Sequence, residues 1–332
     1  MTSAADADPT VGALSEAEVL AAVLAQLGPS EAELGPGDDA AVIAMPDGRV
    51  VATVDTLVHG PDFRLAWSSA LDLGWKSAAV NLADIAAMGA RPVALLVALA
   101  MPDSTRLSFA ADLARGLRDA CETLAPGCRV EGGDLTASDT LTIAVTALGS
   151  LDGRAPVTRA GARPGDVVAI AGDLGRAARG LDVLFERFRD AAGTPVAVDP
   201  SLLDDDERAA VRAQLRPAPP IGLGVAASTA GATAMMDVSD GLLLDARRLA
   251  AASGVTLALR AGALGDDPDL ALRGGEDHAL LAVFPAAAAL PAGFRVLGDV
   301  VAEAADPVLV DGAAPFGRGG WDPYRDWDAA RG

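Results

Sequence analysis

The sequence has 332 residues, of which 51% are hydrophobic and 22% are charged, and its formal net charge is −20. This size and apolar content predict a globular protein with a large core, and the length favours two domains over one. The negative charge disfavours nucleic acid or an anionic membrane surface as the main partner, because both repel an acidic protein surface.

The sequence lacks several targeting and cofactor motifs, and their absence limits the classes of protein to which it can belong. No uninterrupted apolar run of about 18 residues occurs, and the start MTSAADADPT lacks the basic-then-apolar pattern of a signal peptide. A cytoplasmic protein is therefore expected, and Cys121 and Cys128 are predicted to be free thiols. Lys76 is the only lysine and follows no glycine loop, so a G-x-x-x-x-G-K-[ST] phosphate loop is excluded.

The N-terminal part begins with a predicted tail at residues 1–10. Ser15–Leu27 has the pattern of an amphipathic helix, with Ser15 as N-cap and Gly28 as its end. Two short strands are predicted around the turn at 46–48, the second of them ending on Asp55. The further predicted elements are a helix at 71–92, a strand at 92–99, a helix at 104–124, a strand at 128–131 that stops at Gly132-Gly133-Asp134, and a strand at 140–148.

A Gly-, Pro- and Arg-rich stretch at 153–166 marks the predicted domain boundary. The elements predicted after it are a strand at 167–171, helices at 174–189 and 204–215, a stiff proline tract at 216–220, a strand at 232–238, a helix at 240–253 with Ser239 as N-cap, a strand at 257–259, and a pair of strands within 294–310. Loosely alternating helices and strands favour a mixed α/β architecture. The predicted division is a disordered tail at 1–10, an N-terminal domain at 11–150 and a C-terminal domain at 151–332.

Several carboxylates share one local setting, at the end of a strand-like run and before a glycine or a helix. They occur in GDD at 37–39, VDT at 54–56, GGD at 132–134, DVSDG at 237–241 and GGED at 274–277. Strand ends that lead into glycine turns are where α/β proteins build their sites. For each motif alone, a carboxylate that only bonds its own turn remains the alternative.

Asp84 is different, because it lies among apolar residues inside a predicted helix. A buried carboxylate is costly unless a cation meets it. The alternatives are an ion pair with Lys76 or a solvent-facing position. If Asp39, Asp55, Asp84, Asp134, Asp237 and Asp240 converge, their repulsion requires metal ions, because the chain has too few basic side chains nearby.

Oxygen ligands of this kind, together with the hydroxyl of Thr53 or Thr56, suit Mg²⁺, which commonly bridges protein carboxylates and nucleotide phosphates. The residues therefore predict an enzyme that uses ATP and magnesium. Arg159, in VTRAGARPGD, is a candidate phosphate clamp, with a solvated linker arginine as the alternative. His59 and His278 are the only histidines, and no serine near them has the setting of a nucleophile elbow.

With these motifs, the sequence resembles the thiamine-monophosphate kinase family, whose superfamily includes aminoimidazole ribonucleotide synthetase and selenophosphate synthetase. The resemblance runs from Gly35 to about Trp321 and rests on GPGDDAAV, TVDTLVHGPDF, GWKSAAVNLADIAAMGARP, EGGD, TALG, TRAGARPGD, MDVSDGLLLD and GGEDHALL in the family's order. It implies an N-terminal sheet domain that forms a homodimer and a C-terminal α/β domain. It also implies transfer of the γ-phosphoryl group of ATP to thiamine monophosphate, which gives thiamine diphosphate.

The resemblance also implies roles for particular residues. The implied magnesium ligands are Asp39, Thr53, Val54, Asp55, Asp84, Asp134, Asp237 and Asp240. The implied nucleotide contacts are Gly133, Asp134, Arg159 and Ser239. The implied contacts to thiamine monophosphate are Asp62, Glu276 and Trp321. No residue is expected to act as a nucleophile, because the acceptor is an anionic phosphate and the transfer is expected to be direct and in line.

The sequence departs from the family pattern around the acceptor. Asp62 stands where the family usually has a histidine, in GPDF instead of G-V-H-F, and GGEDHALL replaces GGEDYEL. Two alternatives therefore remain open at this point. One is a related ATP-using synthetase or kinase with another small acceptor, and the other is a non-catalytic protein that binds magnesium and nucleotide.

Overall fold

The computed structural model of the chain describes residues 8–35 and 40–326. Asp39, a predicted metal ligand, lies outside these residues. Among the described residues, no helix is long and apolar enough to cross a membrane.

The N-terminal half forms a four-stranded sheet covered on one face by helices. Its elements are α1 (Glu16–Leu27), β1 (Val51–Val58), α2 (Ala70–Ala87), β2 (Arg91–Met101), α3 (Leu107–Leu124), β3 (Arg129–Ala137) and β4 (Thr142–Ser150). The strand order is β1-β4-β2-β3. Strand β4 is antiparallel to both β1 and β2, whereas β3 is parallel to β2. Strands β1 and β3 are thus the two edges of the described sheet.

Helices α2 and α3 pack unusually closely because each offers a glycine to the other. A Cβ added at Gly74 would lie 2.0 Å from the carbonyl oxygen of Leu113, and one added at Gly116 would lie 2.2 Å from that of Leu71. Only glycine allows such an approach of two backbones. The opposite face of the sheet is open, and Val54 on β1 is 60% exposed there.

The C-terminal half forms a six-stranded sheet with helices on its faces. Its elements are β5 (Val167–Ala171), α4 (Arg176–Arg187), α5 (Asp205–Leu215), α6 (Ile221–Thr229), β6 (Ala234–Val238), α7 (Leu242–Ser253), β7 (Val255–Leu259), α8 (Pro268–Arg273), β8 (Ala279–Phe284), β9 (Phe294–Ala302), β10 (Val308–Val310) and α9 (Pro323–Asp326). The strand order is β10-β7-β9-β5-β8-β6. The mixed α/β fold with two sheets confirms the predicted fold class.

Helix α2 joins the two halves. Its Trp75 Nε1 donates a hydrogen bond to the carbonyl oxygen of Pro217 at 2.7 Å. On its other side, α6 approaches so closely that a Cβ at Gly224 would lie 2.1 Å from the carbonyl oxygen of Ala86. Because α2 also carries Asp84, this packing places a carboxylate of the first half next to the strand ends of the second.

Several predicted element boundaries need correction. The run at 40–44 is not a strand and forms only a bridge between Val42 and Leu34. Asp55 lies inside β1 rather than at its end, and β3 continues through Gly133 and Asp134. Helix α7 begins at Leu242 after Gly241, so Ser239 is not its N-cap. Ser15 is confirmed as the N-cap of α1, where it forms a capping box with Glu18.

Three further differences from the predicted structure concern two helices, the pairing of two strands and the length of the N-terminal tail. Helices α6 and α8 were not predicted, because one follows a proline tract and the other has only six residues. Strands β9 and β10 do not pair with each other, since both pair with β7. The predicted tail is too long, because Asp8 accepts hydrogen bonds from the backbone N–H (3.0 Å) and the hydroxyl (2.7 Å) of Ser108.

Candidate active site

Three carboxylates from the two halves face one another, and we call Asp55, Asp84 and Asp237 the carboxylate cluster. Asp84, on α2, accepts a 2.7 Å hydrogen bond from the hydroxyl of Thr53 on β1. The backbone N–H of Asp55 donates to the side-chain oxygen of Asn81, also on α2, at 3.0 Å. Asp237 comes from the penultimate position of β6. The alternative of an ion pair between Asp84 and Lys76 is therefore wrong.

Burial and charge repulsion within the cluster disfavour the ionised forms of Asp55 and Asp84. Burial, followed by the charges of Asp237 and Asp55, raises the pKa of Asp84 to about 7, against the opposing hydrogen bond from Thr53. Burial also raises the pKa of Asp55, and the charges of Asp237 and Asp240 add to the effect, while His278 opposes it. Because a cation would relieve the repulsion that raises the pKa values of Asp55 and Asp84, the cluster is suited to binding cations.

Asp237 is held by His278, the residue that departs from the family pattern. The ring Nδ1 lies 3.1 Å from Oδ2 of Asp237, and both side chains are buried. Burial alone would lower the pKa of His278, but the hydrogen bond and charge of Asp237 outweigh it and raise that pKa.

Asp240 lies in the segment 239–241, between β6 and α7, and is already paired with a cation. Arg248 donates to Oδ2 of Asp240 at 2.6 Å and to Oδ1 of Asp245 at 2.7 Å. Asp245 is fully buried and also accepts the backbone N–H of Asp240 at 3.1 Å. Burial and the charges of Asp240 and Asp237 raise the pKa of Asp245 to about 6. This network fixes the turn that leads from Asp237 to helix α7.

Lys76, the single lysine, forms an ion pair with Glu276 in the GGED motif. Lys76 is 4% exposed, whereas 40% of the Glu276 side chain is exposed, so the pair joins a buried ammonium to a carboxylate at a cavity wall. Burial would raise the pKa of Glu276, but Lys76 more than offsets it and lowers that pKa. The pair keeps Glu276 ionised where it faces the cavity.

A cavity of about 860 Å³ lies beside these groups and gathers the predicted acceptor residues Asp62, Glu276 and Trp321, together with Ser239. Its aromatic lining includes Trp67 and Phe185, whose rings meet edge to face at 4.9 Å. The carboxylate of Asp62 accepts a 2.7 Å hydrogen bond from the backbone N–H of Val58, and this bond orients the carboxylate. Burial raises the pKa of Asp62, and Glu276 adds to the shift. The cavity also has basic side chains in its lining, namely Arg64, Lys76, Arg189, Arg273 and Arg318. Its acidic and aromatic groups suit a cationic heteroaromatic ring, and its basic groups suit an anionic substituent.

Among the described residues, the predicted metal ligand Asp134 lies apart from the carboxylate cluster of the same chain. Across the first sheet, Asp55 on β1 is in register with Val145 on β4 and Val97 on β2. Asp134 lies on the opposite edge strand, β3, and is in register with Ala98 on β2. Neighbouring residues of a strand point to opposite faces, so Asp134 lies on the other face of the sheet. Three strand spacings of about 4.8 Å also separate β1 from β3, roughly 14 Å in all.

The predicted nucleotide residues are likewise dispersed. Gly133 packs so closely that an added Cβ would lie 2.0 Å from the carbonyl oxygen of Val97. Arg159 is exposed beside the start of β6, where the backbone N–H of Met235 donates to the carbonyl oxygen of Thr158 at 2.9 Å. Ser239 lies beyond the other end of that strand. Of the four predicted nucleotide residues, Ser239 alone lines the cavity.

The donor set fits magnesium in its chemistry, although it is incomplete within the described residues. Among residues 8–35 and 40–326, no three His, Cys, Asp or Glu side chains lie close enough to hold one metal ion. Mg²⁺ commonly takes one or two protein carboxylates and fills its other positions with water and phosphate oxygens. The raised pKa values of Asp55 and Asp84 and the hydroxyl of Thr53 match that arrangement.

Sequence reasoning did not foresee three buried polar contacts next to the site. These are the Lys76–Glu276 pair, the His278–Asp237 contact, and Asp277, which accepts the backbone N–H of Ala177 at the start of α4 at 2.8 Å. The clue for Lys76 was its position as a lone cation inside an apolar helix. The other two depend on strand register, which local pattern does not provide.

The buried helix contact of Asp277 gives a prediction for the pH dependence of stability. Burial raises its pKa from 3.8 to about 6. A raised acid pKa favours the folded state below about pH 4 and loses that contribution as pH rises through about 6. Asp277→Asn keeps the acceptor and cannot ionise. In urea titrations, we expect its stability relative to wild type to grow by about 2–3 kcal/mol between pH 4 and pH 7.

The matched control for Asp277→Asn is the same substitution at the exposed Asp139. Its stability difference from wild type should stay constant over this pH range. A constant difference for Asp277→Asn as well would contradict the assigned pKa.

Comparison with known proteins first defines the class of fold. A family model described as AIR synthase related protein, N-terminal domain, matches residues 37–151. Hydrogenase maturation protein HypE is 19% identical to this chain, with a TM-score of 0.62, and covers 90% of this chain and 94% of its own. At that identity the likeness concerns the fold alone. The architecture is thus that of the AIR synthase-related proteins.

Closer relatives narrow this class to one family. Thiamine-monophosphate kinase of Mycobacterium tuberculosis is 40% identical over 342 residues, covering 98% of this chain and 96% of the relative. That of Corynebacterium glutamicum is 39% identical over 334 residues, covering 95% of each. The chain belongs to the thiamine-monophosphate kinase family, which confirms the predicted resemblance and the predicted class of enzyme.

Solved structures agree with this assignment. Thiamine-monophosphate kinase from Stenotrophomonas maltophilia K279a is 32% identical, with a TM-score of 0.72, and the match covers 90% of this chain and 96% of that chain. The structure of AaThiL complexed with AMPPCP and TMP is 29% identical, with a TM-score of 0.71, and covers 91% of this chain and 94% of that chain.

Proposed function

We propose that the chain transfers the γ-phosphoryl group of ATP to the phosphate of thiamine monophosphate and so forms thiamine diphosphate and ADP. Family membership over 98% of the chain supports the reaction. The observation that carries the proposal is the carboxylate cluster, with its mutual charge repulsion, beside a cavity of about 860 Å³ whose walls carry acidic, basic and aromatic side chains.

Magnesium is the cation that we propose for the cluster. Several Mg²⁺ ions would share the ligands Asp55, Asp84, Asp237, Thr53, Asp39, Asp240 and the backbone of Val54, with one or two carboxylates on each ion. When bound, Mg²⁺ neutralises charge on the phosphates of donor and acceptor. The chain's own residues define the position, because Thr53 and Asn81 fix the cluster from β1 and α2.

The acceptor is proposed to occupy the cavity. Thiamine carries a cationic thiazolium ring, which would be attracted by Glu276 and Asp62 and by the aromatic face of Trp321. Lys76 supports this arrangement because its ion pair keeps Glu276 in the carboxylate form. The phosphate of the acceptor would then point away from these acids and toward the cluster.

We further propose that a homodimer completes the site, with Asp134 and Gly133 reaching the carboxylate cluster of the other chain. Three features of the first sheet support this. Its edges β1 and β3 are free among the described strands, Asp134 is exposed on β3, and Val54 is 60% exposed on the open face. Joining β1 of one copy to β3 of the other would remove the roughly 14 Å that separate these two strands within one chain.

Direct in-line transfer is the mechanism that these groups support. The acceptor phosphate is itself the nucleophile, so no side chain needs to accept the phosphoryl group. The contribution of the protein is to orient the two substrates, to exclude water and to supply counter-charge for developing negative charge. Ser239 lines the cavity two residues after Asp237, and its proposed role is to orient a phosphate through its hydroxyl.

The proposal is tested by incubating the purified protein with ATP, Mg²⁺ and thiamine monophosphate and separating the products by chromatography. We expect thiamine diphosphate and ADP in equal amounts, and neither in the presence of EDTA. Thiamine and pyridoxal phosphate serve as control acceptors. If the protein hydrolyses ATP or transfers phosphate to another acceptor, but not to thiamine monophosphate, a related enzyme is favoured. This alternative is considered because Asp62 stands where the family pattern has a histidine.

A further inference from the structure

We propose that His278 is a positioning residue that fixes the carboxylate of Asp237, so that one oxygen is held by the ring and the other is presented to the bound cation. This inference rests on the proposed function, in which Asp237 binds Mg²⁺. His278 stands where the family sequence pattern has a tyrosine.

Strand register places the ring beside Asp237. Strands β6 and β8 are antiparallel, with Asp237 opposite Leu280 and Val238 opposite Ala279. The backbone N–H of His278 extends this pairing by donating to the carbonyl oxygen of Val238 at 3.1 Å. At His278 the backbone turns into the left-handed region, with φ of 52°. A left-handed backbone at a residue other than glycine is costly and typical of functional sites.

The chemistry of the contact assigns roles to the two ring nitrogens. Nδ1 lies 3.1 Å from Oδ2 of Asp237. A carboxylate can only accept, so Nδ1 carries the proton and donates it. The other ring nitrogen, Nε2, is buried and has no hydrogen-bond partner in the described part of the chain. Among the described residues, the hydrogen-bond partner of the ring is therefore Asp237, through Nδ1.

This hydrogen bond leaves Asp237 with one occupied and one available oxygen. Within the described residues, Oδ1 of Asp237 receives no hydrogen bond, while Oδ2 is held by the ring. The hydrogen bond thereby favours one orientation of the carboxylate. Partners that orient a metal ligand in this way typically change metal affinity by roughly 10–100-fold when they are removed.

A purely structural role for the contact makes different predictions. If His278 only compensates the buried charge of Asp237, its loss should lower stability without changing magnesium affinity once the protein is folded. If it positions the carboxylate, magnesium affinity should fall in the folded variant. Rescue should then depend on where the replacement places its hydrogen-bond donor.

The test compares His278→Leu, His278→Asn and His278→Gln in the full chain. Asn places its amide nitrogen near the position of Nδ1, whereas Gln places it nearer that of Nε2. Thr256→Val is the matched control, because Thr256 is fully buried and donates a 3.0 Å hydrogen bond to the carbonyl oxygen of Asp306, away from the cluster. Magnesium affinity is measured by calorimetry and by the Mg²⁺-induced shift in Tm with a non-hydrolysable ATP analogue.

We expect His278→Leu to weaken magnesium binding by roughly 10–100-fold, and we expect Asn to recover most of the loss and Gln little of it. Thr256→Val should lower Tm and leave magnesium affinity unchanged. Wild-type affinity in folded His278→Leu would overturn the inference. If that variant does not fold, equal affinities for the Asn and Gln variants would overturn it. A wild-type protein that binds no Mg²⁺ would instead reject the proposed function.

Discussion

A mixture of two inactive variants, Asp55→Asn and Asp134→Asn, is expected to regain activity when the chains are allowed to form mixed dimers. If Asp134 completes the site of the other chain, a mixed dimer has one site with both carboxylates and one with neither. Mixed dimers should then show about half of the wild-type turnover per dimer. The structure motivates this test because β1 and β3 are opposite edges of one sheet.

The result is measured by co-expressing the two variants with different affinity tags and isolating the doubly tagged dimer. The matched control pairs Asp55→Asn with Asp84→Asn, whose residues both belong to the same cluster. That pair should stay inactive in mixed dimers. An inactive dimer of Asp55→Asn with Asp134→Asn would show that Asp134 does not act across the interface.

The second large effect is expected at Asp84. Asp84→Asn should reduce phosphoryl transfer by roughly 10²–10⁴-fold, because loss of a cation ligand removes several kcal/mol of charge stabilisation. The same substitution should raise the Tm of the protein in EDTA, because it removes a buried charge whose pKa is about 7 and keeps the acceptor for Thr53. Activity and metal-free stability should thus change in opposite directions.

Asp72→Asn is the matched control on the same helix. Asp72 is buried, caps α2 through Ser69 and forms an ion pair with Arg216. Its substitution should lower Tm and leave the magnesium dependence of turnover unchanged. Full activity of Asp84→Asn at limiting Mg²⁺ would contradict the proposed role of the cluster.

The long, strongly patterned elements could be predicted from the sequence. Helices α1, α2 and α3 and strands β4 and β5 follow from apolar periodicity and from caps such as Ser15. Helix α6 was missed because its sequence, IGLGVAAST, contains two glycines and follows prolines. Gly224 is needed there for close packing on α2, a tertiary requirement that outweighs local propensity.

The site could be predicted only as a set of residue types. Acids at predicted strand ends pointed to Asp55 and Asp237, and a carboxylate inside an apolar helix pointed to Asp84; the fold brings the three together. Their partners depend on register and packing: Thr53 meets Asp84 across β1 and α2, and His278 meets Asp237 across β6 and β8. Lys76 illustrates the limit, because its candidate partner Asp84 lies eight residues away on the same helix, whereas the structure pairs Lys76 with Glu276, 200 residues away in the sequence.

The location of Asp134 could not be deduced from its motif. A strand predicted to stop at Gly132 would have left Asp134 free to turn toward the other acids. Because β3 continues to Ala137, the alternation of side chains instead fixes Asp134 on the open face of the sheet. This is why the proposed site requires a second copy of the chain.

The central claim is direct, magnesium-dependent transfer from ATP to thiamine monophosphate, and following an isotopic label tests it most directly. With ATP labelled in its γ-phosphate, the account predicts that the label appears in the terminal phosphate of thiamine diphosphate, only with Mg²⁺ and without passing through a labelled protein. Label found in inorganic phosphate alone, or bound covalently to the chain, would contradict it.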